Sequence, residues 1–122
     1  MALRRDVVRK PVTVAIKRDA TYPPLLLQLV SHGQAADLTT AVGVELRMHT
    51  DTAPRTRKFT GAFAIVDPPT LGQVLYAWRP SDTDTAGDYL AEVRILYGDG
   101  TTERLPEPSF IRVHIDADLD NA

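Results

Sequence analysis

Apolar and polar residues alternate with a period of two along most of this chain. Val12, Val14 and Ile16 interleave with Thr13, Ala15 and Lys17, and Leu25, Leu27 and Leu29 repeat the pattern, with Leu26 and Val30 making that segment apolar on both faces. Val42, Val44, Leu46 and Met48 alternate with Gly43, Glu45, Arg47 and His49, and Phe59, Phe63 and Ile65 share one parity that Gly61 weakens. Val74, Tyr76 and Trp78 follow. The longest one-sided run is Tyr89, Ala91, Val93, Ile95 and Tyr97, and Ile111, Val113 and Ile115 close the series. A helix would scatter these positions round its circumference, whereas a strand lines them along one face.

The turn residues agree with strands. All nine prolines fall between the runs, as expected of a residue that cannot donate to a sheet ladder. Asp99-Gly100, between the Tyr89–Tyr97 run and the Thr102–Leu105 segment, is a strong hairpin signal. The pattern predicts an all-β protein, an immunoglobulin-like antiparallel β-sandwich of seven to eight strands. It shows no internal repeat and one domain: a basic arm over 1–11, the sandwich over 12–116 and an acidic tail over 117–122.

One segment narrows the fold further. In immunoglobulin-like sandwiches an Asp, then Ala or Gly, then Tyr often opens the penultimate strand, and the Tyr hydroxyl bonds back to upstream backbone. Asp84, Ala86, Gly87 and Tyr89 fit that corner, with Ala91 where an antibody domain has its second cysteine. The lone tryptophan, Trp78, precedes the corner instead of lying in an early strand. It is expected in the core, and its position argues against antibody-type topology.

With 122 residues, the chain can bury about two-thirds of its unfolded surface, enough for a core without staples. There are no cysteines, which excludes a disulfide, a Cys-based zinc site and a thiol nucleophile. This fits synthesis in a reducing compartment. No apolar run reaches the roughly 20 residues of a membrane span, and no apolar stretch follows the basic N-terminus as a secretory signal would require. The net charge of −2 gives no electrostatic drive toward nucleic acid. The basic groups Arg4, Arg5, Arg9, Lys10 and Arg47, Arg55, Arg57, Lys58 also lack the interleaved aromatics of a single-strand reader.

Catalytic and metal chemistry finds little support. Asp82-x-Asp84-x-x-Gly87 imitates the start of a calcium loop, but Ala86 and Val93 stand where later ligands belong. It reads instead as a solvated turn. His32, His49 and His114 are far apart, and the last two fall on the polar parity of their strands. Ser31, Ser81 and Ser109 have no nucleophile-elbow context, and Gly98-x-Gly100 is a hairpin turn, not a phosphate cradle. The expectation is no catalytic residue, no cofactor and no metal.

Three segments carry a family resemblance. They are Thr21-Tyr22-Pro23-Pro24-Leu25, Ala36-Asp37-Leu38-Thr39 leading into Val42–Met48, and Tyr76 to Val93 with Trp78, Pro80, Asp82, Ala86, Gly87 and Tyr89. Together with Asp99-Gly100, Glu103 and Pro106 they resemble the immunoglobulin-like N-terminal module of the phage baseplate upper protein family, over roughly residues 12–115. The resemblance implies a non-enzymatic structural subunit of a tailed-phage virion, made in the bacterial cytoplasm. Tail or baseplate, head-to-tail connector and capsid decoration all remain open. Its implied partners are other virion proteins and copies of itself, with no membrane or nucleic acid. Longer members continue into further domains, so their receptor-adaptor role does not transfer to this module.

Under this reading the contact residues expected are Leu3, Arg4, Arg5, Val7 and Val8 in the arm, then Arg55, Arg57 and Lys58 in a loop. The rival expectation is a carbohydrate- or cell-surface-binding module. Tyr22 is its main candidate, because the other tyrosines and Trp78 lie on apolar parity.

Overall fold

The computed structural model describes residues 5–8, 12–52, 54–105 and 111–117. Its strands are β1 (Arg5–Val8), β2 (Val12–Lys17), β3 (Leu25–Ser31), β4 (Gln34–Ala35), β5 (Ala41–Thr50) and β6 (Arg57–Ala62). After these come β7 (Ala64–Ile65), β8 (Gln73–Tyr76), β9 (Gly87–Tyr97), β10 (Thr102–Leu105) and β11 (Ile111–Asp116). Sheet one runs β1-β3-β8-β7, with β4 added to β3. Sheet two runs β2-β11-β9-β5-β6, with β10 added to β9.

The two sheets stack as a β-sandwich. The central pair alternates over most of its length: Val44, Leu46 and Met48 of β5 and Ala91, Val93 and Ile95 of β9 are buried. They face Leu25, Leu27 and Leu29 of β3 and Val74 and Tyr76 of β8 in one hydrophobic cluster. Ala91 is 1% exposed, so close packing closes the layer where an antibody domain would have a disulfide.

The division of strands between sheets is that of an immunoglobulin sandwich, with β3 and β8 paired in one sheet and β11, β9, β5 and β6 in the other. This corrects the topology inferred from Trp78. The tryptophan follows β8 because the aromatic cluster it serves lies under the corner, and its place in the chain says nothing about strand order. Eleven strands are described instead of seven or eight, because edges are broken into short pieces. The Phe59–Ile65 run is split: β6 belongs to sheet two and β7 to sheet one, and Phe63 is buried at the crossing. Thr102–Leu105 and Ile111–Asp116 pair with successive stretches of one edge of β9.

Two edge pairings are parallel. β2 lies parallel to β11, Ile111 opposite Val12, and β1 lies parallel to β3, Arg5 opposite Leu26. Four residues assigned to the arm by sequence, Arg5–Val8, are therefore a strand of sheet one. A hairpin not foreseen from sequence joins β3 to β4. His32 (φ 52°) and Gly33 (φ 80°) both take the left-handed conformation that two-residue hairpin loops require.

Candidate functional site

The tyrosine corner is built as its sequence implies. Tyr89 is 5% exposed and its hydroxyl donates to the Thr85 carbonyl at 2.8 Å. Asp84 lies outside it, accepting from Lys58 Nζ at 2.7 Å and from the Thr85 hydroxyl at 2.9 Å. These two bonds, the Lys58 one foremost, hold the Asp84 carboxyl below its ordinary pKa. Lys58 reaches inward because of a β-bulge. Met48 faces Phe59 and His49 faces Arg57, so Lys58 is the extra residue. Its ammonium sits 5.8 Å from the Tyr89 ring centroid, and its side chain is only 14% exposed. Lys58, expected as an external contact, thus braces the corner.

The turn preceding the corner is not solvated, contrary to the sequence reading. Asp82 and Thr83 are buried at 1% and 0% exposure. Asp82 accepts from the Tyr76 hydroxyl at 2.5 Å and the Arg79 backbone N–H at 2.9 Å, and pairs with the Arg79 guanidinium at 3.0 Å. Burial first, then the Asp82 bond, pushes the Tyr76 phenol well above its ordinary pKa, so it remains a donor. Thr83 Oγ1 donates to the Ala20 carbonyl at 2.9 Å and the Thr83 carbonyl accepts from the Asp19 N–H at 2.9 Å. A buried carboxylate with several donors fixes loop geometry. Sequence gave no sign of it, since Asp in a Pro-Ser-Asp-Thr-Asp stretch reads as an ordinary turn residue.

Beside this network lies an aromatic cluster. Tyr76 stacks on Phe59 at 5.9 Å and meets Phe63 and Trp78 edge-on at 5.8 and 5.4 Å. Trp78 is 5% exposed, as expected of a core residue. The Arg79 side chain also donates to the Thr60 carbonyl on β6 at 3.4 Å, capping part of that sheet edge.

The loops divide between two ends of the sandwich. At one end the segment before β3, the β5–β6 loop and the β8–β9 corner are tied together by the Thr83–Ala20 and Lys58–Asp84 contacts. This end has Arg18, Arg55, Arg57, Lys58 and Arg79, with Arg55 and Arg57 exposed. Four of its aspartates face a lysine or arginine, Asp19–Arg18 at 3.8 Å, Asp51–Arg112 at 3.3 Å, Asp82–Arg79 at 3.0 Å and Asp84–Lys58 at 2.7 Å, and two more, Asp88 and Asp116, flank His114. Tyr22 projects here, 73% exposed, near an apolar groove of about 170 Å³ whose lining includes Pro23, Pro24 and Trp78.

At the opposite end, segments 32–40, 66–72 and 98–101 meet. Gly98 N–H donates to the Thr40 carbonyl at 2.8 Å, and Leu38 N–H to the Pro69 carbonyl at 2.9 Å. These segments hold Asp37, Asp67 and Asp99 and no lysine or arginine. Asp37 accepts from the Thr39 hydroxyl and amide, and Asp99 from the Thr101 hydroxyl and amide. Those bonds, the hydroxyl one first, hold both carboxyls below their ordinary pKa. Two large apolar side chains are exposed here, Val42 at 74% and Leu71 at 47%. Val42 points out because a bulge between Ala41 and Gly43 takes it out of register.

Two depressions lie near histidines. One of about 200 Å³ on the outer face of sheet two is lined by Arg47, His49, Arg55, Leu90, Ala91 and Glu92. A broader, open one includes Ser31, His32, Arg94 and Glu103. There the Ser31 hydroxyl donates to Glu103 Oε2, and the Tyr97 hydroxyl donates to Glu103 Oε1 at 2.8 Å, so the serine hydrogen is directed to a carboxylate instead of His32. His114 stands between Asp88 and Asp116, with Nδ1 and Nε2 at 2.6 and 2.7 Å from their oxygens. Among the described residues no group of three or more His, Asp or Glu is arranged to hold a metal ion, and no helix is long and apolar enough to cross a membrane. Leu3 and Arg4 lie outside the described residues, as do residues 118–122 of the tail. For Arg5, Val7 and Val8 the structure gives the β1 pairing.

Comparison with known proteins found no matching protein-family profile and no matching curated protein. Solved structures do match. One is the N-terminal domain of phage TP901-1 ORF48, with a TM-score of 0.53 and 11% sequence identity, covering 93% of this chain and 98% of that one. At this identity the likeness establishes a shared fold.

Proposed function

We propose that this chain is a structural, non-enzymatic subunit of a tailed-phage virion that acts through protein–protein contacts. The carrying observation is the fold likeness to a phage protein's N-terminal domain, which spans nearly the whole of both chains. The sequence resemblance to baseplate upper protein modules, carried in part by the corner at Asp84–Tyr89, points the same way. A rigid sandwich suits this role, because its loops and sheet edges can present contacts without any catalytic constellation. Tail or baseplate, connector and capsid-decoration placements all agree with this reading.

The contact residues shift relative to the sequence expectation. Arg55 and Arg57 remain as exposed cations, whereas Lys58 serves the corner. Purified particles from an infection with an epitope-tagged copy test the proposal. The tagged chain should co-purify in fixed proportion to the other particle proteins through a density gradient, and its absence from assembled particles would refute the role.

A second reading is favoured by the exposure of Tyr22 beside the Pro23–Pro24 groove, a geometry suited to stacking on a sugar ring. Binding on a glycan array that disappears in Tyr22→Ala would support this reading over the first.

A further inference from the structure

The apolar groove beside Pro23 and Pro24 opens along one side of the sandwich, at the seam between β2 of sheet two and β3 of sheet one. Its walls include Val14 and Ile16 on β2, Pro24 just before β3, Leu26 within it, and Trp78. This is a loose margin of the core. Val14, Ile16 and Trp78 keep 9%, 7% and 5% exposure, whereas Leu27, Leu46 and Val93 at the centre keep none. An apolar cavity of about 150 Å³ holds one benzene-sized group. A groove of about 170 Å³ therefore has room for one large apolar side chain.

The track of β1 leads into this groove. β1 lies parallel to β3, and its first residue, Arg5, stands opposite Leu26. Continued toward the N-terminus, the same register sets position 4 against Leu25 and position 3 against Pro24. Opposed residues of paired strands share a face, so position 3 falls on the face of Pro24 and Leu26, both walls of the groove. Proline has no N–H to extend a ladder, so the chain ahead of β1 is held here by side-chain packing. The residue at position 3 is a leucine. We infer that Leu3 of the chain's own N-terminal segment seats in the groove beside Trp78 and closes the seam between the two sheets. A segment tethered this close meets the groove at an effective concentration of about millimolar, which a second copy in dilute solution does not match. The inference goes beyond the structural-subunit reading. It withdraws Leu3 from the external contacts and concerns the isolated chain, so its failure shows in solution and the failure of that reading shows in particles.

The chain has no cysteine, so a pair introduced into the full chain reports proximity without background. Leu3→Cys with Pro24→Cys should form a disulfide within one chain under mild oxidation. Neighbouring strands lie about 4.8 Å apart, inside the roughly 4.4–6.8 Å between Cα atoms that a disulfide spans. Leu3→Cys with Val42→Cys, at the opposite end of the sandwich, should form none. Trp78 is the only tryptophan, so its fluorescence reports on the groove. Leu3→Asp should red-shift that emission and raise its quenching by acrylamide while far-UV circular dichroism stays unchanged, and Val42→Asp should alter neither reading. A first pair that forms no disulfide, forms it only between chains, or forms it no better than the Val42 pair would overturn the proposal. So would Trp78 fluorescence that is the same in Leu3→Asp as in the wild type.

Discussion

Gly61, the last residue but one of β6, sits directly beneath the Tyr76 ring. A Cβ built there would lie 2.4 Å from both Tyr76 Cε1 and the hydroxyl oxygen. Since carbon atoms pack at about 3.5–4.0 Å, Gly61→Ala must move the ring by about 1 Å or displace β6. The ring has little freedom. Phe59 stacks on one face, Phe63 and Trp78 meet it edge-on, and its hydroxyl is held by the buried Asp82. Overpacking of this kind costs about 1–3 kcal/mol, and weakening a hydrogen bond to a buried carboxylate adds about 1.5–3 kcal/mol, so a total of about 2.5–6 kcal/mol is expected. For a domain of this size that corresponds to roughly 4 °C of midpoint per kcal/mol, a drop of about 10–24 °C in calorimetry. Gly43→Ala makes the same chemical change in β5, where the new methyl meets only Leu96 Cδ1 at 4.0 Å. It should leave stability within about 0.5 kcal/mol. Equal midpoints for the two variants would refute the claim that the aromatic cluster is rigidly seated on Gly61.

Two further outcomes follow from the corner and the outer face. Tyr89→Phe removes the donor to the Thr85 carbonyl and should cost about 1–3 kcal/mol by urea unfolding, whereas an unchanged midpoint would mean that the corner hydroxyl is not structural. His114 can satisfy both carboxylate neighbours only as the imidazolium, and the Asp88 bond foremost, with the Asp116 charge, raises its pKa against the lowering effect of burial. A raised folded-state value stabilises fully below the unfolded pKa of about 6.5, and that contribution is lost as pH rises through the folded value. The urea midpoint of the wild type should therefore exceed that of His114→Gln most at acidic pH and converge with it at alkaline pH, and a difference independent of pH would refute the pairing.

The sequence by itself determined which residues face inward. Val44, Leu46, Met48, Val93, Ile95, Val113 and Ile115 are buried because a period of two leaves no other way to hide them, and the Tyr89 corner and the Gly98–Thr101 hairpin are local motifs whose residues are contiguous. The tertiary structure decided everything that depends on two segments meeting. Bulges at Lys58 and Val42 break the parity rule, turning a lysine inward and a valine outward, and a bulge is set by the register of the partner strand, which no single strand encodes. Asp82 became buried only because Tyr76, Arg79 and the aromatic cluster converge on it. The gathering of three loops without lysine or arginine at one end is likewise invisible along the chain. Asp37, Asp67 and Asp99 lie in three separate loops, and only the folding of the sandwich brings those loops to one end.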